Sequence, residues 1–505
     1  MMNRERQITS PSNAAPATLQ VFAVAWAIYA GLDRLLLRRD WLHLGDPPLL
    51  LMSCGVLAVS AWMLCRPSST WRLLLLVSSV LAFEVSVLPG QNNHGMYTIF
   101  AAGTAVTCLI YTRLRKGADE SWATAALRVM GPALRVELLV LYFWVFFHKL
   151  NRGYFTPGSS CGWQLYLDMS EALGHWFGYS VMPTWDLLRW PAIVGALAIE
   201  GTLPLLLWLR PTRKLGLAIG LMFHLMLALH PIIEVASFTL MMFTMYVLFV
   251  PEQVWSQALG RWKSSRLGRA LSGSAWAMPV IIVAMMMTYI TLLILMSLSS
   301  DSLNRAAIVE TINANVTGHA LAAFFVYGFG CWVLFVMLAR HPWPKSAAEN
   351  PAFGPVAAPA VPWVLLVALN GVSPYVGLKT HHNFAMFSNL RTEAGLSNHL
   401  IVPANVPKFG YQDDEVRIIE SNVPHMPISA DGERWTWFEF TRLIHEFGQS
   451  GDTAVVYSRN GGPTRSVSRE SNPADPAFDP PSKWARFFWL FKAIPADDQP
   501  CPCRH

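Results

Sequence analysis

Long apolar runs separated by short polar segments dominate the first three quarters of the chain. Runs able to cross a hydrocarbon layer, which takes ~20 helical residues, occur near 19–37, 48–65, 71–88, 95–112, 132–148, 190–209, 214–230, 232–250, 275–298, 319–339 and 360–376. The pattern predicts an all-α polytopic membrane protein with about 9–11 transmembrane helices. The two runs flanking Pro231 read either as one broken helix or as two tilted ones. Beyond residue 376 the pattern changes. Glu415–Glu420 alternates as a strand, Thr436–Phe447 is an amphipathic helix, and Thr453–Ser458 and Thr464–Arg469 flank a Gly461-Gly462 turn. Lys483–Lys492 reads as a last strand or helix. These elements predict a small extramembrane α+β domain near the C-terminus.

Composition agrees with that division. Of 505 residues only 14% are charged, against roughly 25% in soluble domains, and mean hydropathy is +0.34. The net charge of +6 calls for no nucleic-acid partner, because Lys and Arg gather in loops between apolar runs, as membrane orientation requires. With the N-terminus inside, most of these charges fall on inner segments, and the region after the last run lies outside. The first run passes through Asp33-Arg34 without a small-residue cleavage site, so it reads as an uncleaved anchor. Thr156–Arg189 carries Trp163, Tyr166, Trp176 and Trp185, a density typical of the water–lipid boundary. It reads as a surface-lying helix or, equally, as a plain interfacial anchor. The 7 cysteines imply no disulfide framework, and Cys501-Pro-Cys503 is expected to be a free tail.

The candidate chemistry lies at helix ends. Tyr142–Tyr154 ends an apolar helix with His148-Lys149-Leu150-Asn151. An ionisable residue at that depth is a functional candidate by default. A lysine there also has a plain reading, with its stem lifting the ammonium to the interface. Asn92-Asn93-His94 opens another apolar run, and Phe223-His224 lies within a third. In the expected orientation the Asn92 turn, the His148-Lys149 end and the His230-Pro231 turn share the outer side, with Glu84, Glu200 and His224 deeper. Glu84 and Glu200 equally suit bonds between neighbouring helices, and His230 an interfacial position. Lys379-Thr380-His381-His382-Asn383 lacks the spaced ligands of a metal site.

Asn92-Asn93-His94, His148-Lys149-Leu150-Asn151 and Phe223-His224, in this order over about residues 19–251, resemble the HTTM family, the membrane domain shared with vitamin K-dependent gamma-carboxylase. The chain departs from the carboxylases at His148, where they have Lys, and at Asn151, where they have Asp. The resemblance implies a membrane domain over 19–251, and the residue pattern adds a polar tail over 1–18, further transmembrane helices over 252–376 and an extramembrane region over 377–505. It assigns Lys149 as a base toward reduced vitamin K or another quinol, and His94 to the carboxylation step. Asn92, Asn93, His148, Asn151, Glu84, Glu200, His224 and His230 are the pocket candidates. It implies neither metal nor biotin. The expected partners are membrane lipid and a periplasmic or lumenal peptide or protein acceptor, at a bacterial cell membrane with the C-terminal domain outside the cytoplasm. The alternative is a non-catalytic HTTM protein serving peptide export, immunity or binding.

Overall fold

The computed structural model describes residues 15–34, 47–115, 120–177, 183–228, 230, 233–266, 269, 353–406, 408–424, 426, 428–429, 432–496 and 503. The expected spans near 275–298 and 319–339, Cys501 and most of the N-terminal tail lie outside them. Helices dominate: α1 (Ala17–Leu32), α2 (Pro47–Cys65), α3 (Thr70–Ser86), α4 (Asn93–Leu114), α5 (Trp122–His148), α6 (Cys161–Phe177), α7 (Arg189–Trp208), α8 (Arg213–Leu227), α9 (Ile233–Tyr246), α10 (Glu252–Ser264) and α11 (Val361–Val372). Four helical stretches among the described residues are long and apolar enough to cross a membrane: Pro47–Cys65, Asn93–Leu114, Trp122–His148 and Asp186–Trp208. A fifth is reached if Val235–Phe249 and Glu252–Ser264, bent by 109°, count as one span. The sequence pattern predicts more because it counts apolar length and not helix length. The runs starting near 19, 71, 214, 232 and 360 form helices of at most 17 residues. The two runs around Pro231 are the separate helices α8 and α9.

The chain divides into two compact units that interleave in sequence. The first comprises Met1–Ser86, Thr98–Leu138 and Leu206–Val364; the second comprises Val87–Tyr97, Leu139–Leu205 and Leu365–His505. In the first unit the α1 start is held by Glu252, whose carboxylate accepts from the Ala17 and Thr18 amides at 2.6 and 2.9 Å. A negative charge there meets both the orphan amides and the positive end of the helix dipole. The expected uncleaved first helix therefore begins on a charge contact within its own unit.

The second unit carries the C-terminal α+β elements. Strands β1 (Glu415–Ser421), β2 (Trp435–Thr436), β3 (Ala454–Arg459) and β4 (Arg465–Ser468) form an antiparallel sheet of order β2-β1-β3-β4. Helix α12 (Trp437–Phe447) packs on it, and α13 (Lys483–Phe488) resolves the last expected element as a helix. Alternation in β1 and β3 puts Val416, Ile418, Val455 and Tyr457 into one core with Phe440, Leu443 and Ile444 of α12. The Thr436 hydroxyl accepts from the Glu439 amide at 3.1 Å and starts α12. The β3–β4 turn uses left-handed Asn460 and Gly461, at φ 50° and 68°.

A disulfide joins Cys161, at the start of α6, to Cys503. This corrects the expectation of a free tail. The partners are 342 residues apart, so no local spacing signals the pair. Cys161 packs in a cluster with Tyr154, Trp163 and Ile193, with Cys503 against it.

Candidate functional site

In the second unit, four of the residues singled out in the sequence bond to one short stretch of backbone, 383–388. Asn93 at the start of α4 accepts the Phe384 amide on Oδ1 at 2.7 Å. At the end of α5, His148 Nε2 lies 3.1 Å from the Asn383 carbonyl. Lys149 Nζ donates to the Met386 carbonyl at 3.3 Å, and Asn151 Nδ2 donates to the Ser388 carbonyl at 2.5 Å. Asn92 instead serves its own helix, where its side chain accepts the Gly95 amide at 2.8 Å and caps α4.

The held stretch is unusual. His382, Phe384, Phe387 and Asn389 have φ of 55°, 70°, 49° and 55°, in the left-handed region where a Cβ is disfavoured. Such backbone persists only where its surroundings over-determine it. The four side-chain bonds supply that constraint. His148 is itself clamped. The Asn383 carbonyl can only accept, so Nε2 carries the proton of the neutral ring, and Nδ1 accepts from the Tyr375 hydroxyl at 2.9 Å. Burial pushes the Tyr375 hydroxyl well above its ordinary range, so it stays a donor. Trp144 stacks on His148 at 5.5 Å, and Gly371 makes room for that indole, since a Cβ there would collide with it. Asn151 also donates to the His148 carbonyl at 2.7 Å and accepts the Tyr154 amide at 2.9 Å. Both side chains thus spend their polar atoms on tying α5 to the later chain.

Lys149 differs. It is buried, and its ammonium lies 2.8 Å from Glu200 Oε2 of α7, in an ion pair whose side chains are 5% and 10% exposed. This removes the interfacial reading of Lys149, because the charged head is enclosed by Glu200 and the Val145 and Met386 carbonyls. Through this pair Glu200 joins α7 to the end of α5, a bond between helices of the kind its plain reading expects. His94 is buried in the first turn of α4 in the same unit.

Glu84, His224 and His230 belong to the first unit. Glu84 on α3 is ion-paired with Arg34, which also lies 2.6 Å from Asp33 and stands over the Phe83 ring at 3.7 Å. Ser237 of α9 donates to Asp33. His224 of α8 sits edge-on to Phe223, Phe238 and Tyr246, and His230 is buried beyond the α8 end.

Sequence reasoning passed over Arg34 as the partner of Glu84, and Asn383–Ser388 as the stretch on which the motifs meet. A run of non-glycine residues in left-handed backbone has no signature in composition. The buried charge in Asp33-Arg34 was the available signal for the first.

No group of three or more His, Cys, Asp or Glu side chains among the described residues is arranged to hold a metal ion. The chain matches no family model, no curated protein and no solved structure.

Proposed function

We propose that the protein is a multi-pass integral membrane protein, of the gamma-carboxylase-like class its motifs resemble, that uses the Lys149–Glu200 pair for proton transfer with a reduced quinone. The observation that carries this reading is that pair: two opposite charges 2.8 Å apart and enclosed by protein. Removing both from water is costly, and apolar residues of similar volume would often serve stability as well or better. A pair kept in such a place suits chemistry. The donor set fits a quinol hydroxyl, since one member accepts a proton and the other is a fixed cation.

The division of labour follows from the charges. Glu200 receives the proton at its carboxylate and becomes neutral. The Lys149 ammonium would thereby lose its counter-charge and be left to attract the oxygen of a bound quinol. Its attraction for that oxygen is stronger after the transfer than before, which is the condition for lowering a barrier. Asn93, His148 and Asn151 act as positioning residues through the 383–388 backbone. When bound, the quinol would supply the reducing equivalents that oxygen consumes, in support of carboxylation of glutamate or a related acceptor, with His94 in the carboxylation step.

Membrane location is supported by the four to five apolar helical stretches. A position of the α6 start and the C-terminal tail outside a bacterial cytoplasm is supported by the Cys161–Cys503 bond, because disulfides persist in oxidising compartments. The acceptor would then be an extracytoplasmic peptide or protein, with lipid as the surrounding partner. The alternative, a non-catalytic membrane protein that exports, binds or gives immunity to a peptide, draws on His148 and Asn151, whose side chains serve the main chain.

The deciding experiment incubates the purified protein with reduced quinone, oxygen and labelled hydrogencarbonate. Quinol oxidation is expected in the wild type and a loss of about 10²–10⁴-fold in Glu200→Gln, the range for removing a positioned acid or base. Lys149→Ala should lose a similar factor. No quinol oxidation by the folded wild type would leave the non-catalytic reading. Full activity in Glu200→Gln would remove the pair from the chemistry.

A further inference from the structure

Outside the Lys149 site, the second unit buries a lysine that meets no carboxylate among the described residues. Lys379, in the stretch after α11, is 6% exposed. Its neighbours add positive charge. The Thr380 and His381 amides donate to the Leu490 carbonyl at 3.2 and 3.0 Å, and Thr380 Oγ1 accepts the Lys492 amide at 2.9 Å. These bonds fix residues 379–381 beside 490–492, which brings Lys379, His381 and Lys492 onto one pair of neighbouring segments. His381 Nδ1 is buried and has no hydrogen-bond partner among the described residues.

The carboxylates that meet Arg442 are Glu439 and Glu446. Glu439 accepts from Arg442 at 2.6 and 3.1 Å and from the Phe491 amide at 3.4 Å, and Glu446 also pairs with Arg442. Arg442 is therefore compensated. Lys492 is only partly buried, so water can screen it. The buried Lys379 ammonium meets no carboxylate among the described residues, and the buried Nδ1 of His381 has no hydrogen-bond partner among them. A buried charge with no counter-ion is costly, and a chain that keeps one in a described, well-packed place has a use for it.

We propose that Lys379 and His381, with Lys492 at the edge, form a binding site for a single carboxylate group. A monoanion matches the charge of the Lys379 ammonium, and a planar group with two oxygens can meet both that ammonium and an Nδ1–H. Burial lowers Lys379 to about 7, and burial followed by the charges of Lys492, Lys379 and Arg442 lowers His381 to about 3. His381 is then a neutral donor at physiological pH, and an arriving carboxylate returns Lys379 to its ammonium form. The site is separate from the Lys149–Glu200 reading and does not depend on quinol chemistry.

The test uses the full-length protein in detergent, with acetate as the probe and chloride at equal ionic strength as the reference. Acetate is expected to raise the Tm of the wild type saturably at pH 6.5. Lys379→Met should not respond, and its ligand-free Tm should equal or exceed that of the wild type. His381→Gln should respond at higher acetate concentration. A second measurement on the unaltered chain follows acylation of Lys379 by a small amine reagent, read by mass spectrometry. Acetate should slow it by 1 + [L]/Kd, about threefold at twice its Kd. A glutamate-containing peptide and hydrogencarbonate, run as separate arms, distinguish a macromolecular from a free source of the carboxylate. Equal responses from wild type and Lys379→Met, no protection of Lys379 by any of the three carboxylates, or stronger protection by inorganic phosphate than by all of them would overturn the proposal.

Discussion

Two buried cations, one in each compact unit, show how differently this chain treats the same cost. Arg34 in the first unit faces two carboxylates, Asp33 and Glu84, with the Phe83 ring beneath it. Lys149 in the second faces one carboxylate, Glu200, and two carbonyls. The guanidinium is planar, permanently charged and matched to several acceptors at once. It suits a contact that should never change. An ammonium held by a single carboxylate leaves a pair in which a proton can be gained by one member while the other keeps its charge. The contrast is between a cation held by several acceptors and a cation held by one carboxylate, and the proposed function rests on the second. Lys379, with no carboxylate among the described residues, extends the same series toward a ligand.

The sharpest way to break this comparison is Arg34→Met. It strands two buried carboxylates, and the expected loss of stability is about 3–5 kcal/mol, the range for breaking a buried pair from one side. Thermal unfolding of the purified variant measures it. A loss under about 1 kcal/mol would place Arg34 among solvent-screened charges and end its contrast with Lys149.

Lys149→Met strands only one carboxylate, which can take up a proton, so a smaller loss of about 3 kcal/mol is expected. Adding Glu200→Leu should return the protein to within about 1 kcal/mol of wild type, since a buried pair is often replaceable by apolar side chains. The same double variant should remain without quinol oxidation. Stability restored with activity absent would show that the pair is retained for chemistry. A double variant as unstable as the single one would make it structural, like Arg34.

Cys161→Ser tests whether the second unit needs its covalent tie. A loss of about 2 kcal/mol is expected, toward the lower end of what native disulfides contribute, with faster amide exchange in 154–167 and no change around Arg34. In intact cells, both thiols should react with a membrane-impermeant maleimide only after an impermeant reductant. Labelling that requires lysis would reverse the proposed orientation.

The smallest expected effect is a gain. Lys379→Met should raise ligand-free stability at pH 7 by at least about 1 kcal/mol, the equivalent of one pH unit of differential protonation. The sign follows from linkage. Lys379 sits near 7 in the folded protein against an ordinary value of ~10.4, so the unfolded chain binds more protons between these values. Wild-type stability should therefore rise with pH across that window, and the Lys379→Met curve should be flatter. Stability falling from pH 7 to pH 10 through this residue would show that its charge is compensated.

Helices and the C-terminal α+β elements were legible because local rules settle them. Apolar runs at helical spacing marked α2, α4, α5 and α7, and alternation bounded by Asn460-Gly461 marked β3 and β4. Helix lengths were less legible, since α3 stops at Ser86 although its apolar run reaches 88. The sequence by itself also marked Glu84 and Glu200 as needing a partner, because an ionisable group in an apolar stretch is costly alone, and it left Lys149 between a pocket and the interface. It could not determine which partner. Glu200 lies 51 positions from Lys149 and Glu84 lies 50 from Arg34, separations at which many pairings satisfy the same requirement. Only the tertiary structure chose among them, and only it joined Cys161 to Cys503 and brought Asn93, His148, Lys149 and Asn151 onto residues 383–388. The physical reason is that desolvation cost is a property of one residue in its segment, whereas its relief is a property of two segments brought together by packing.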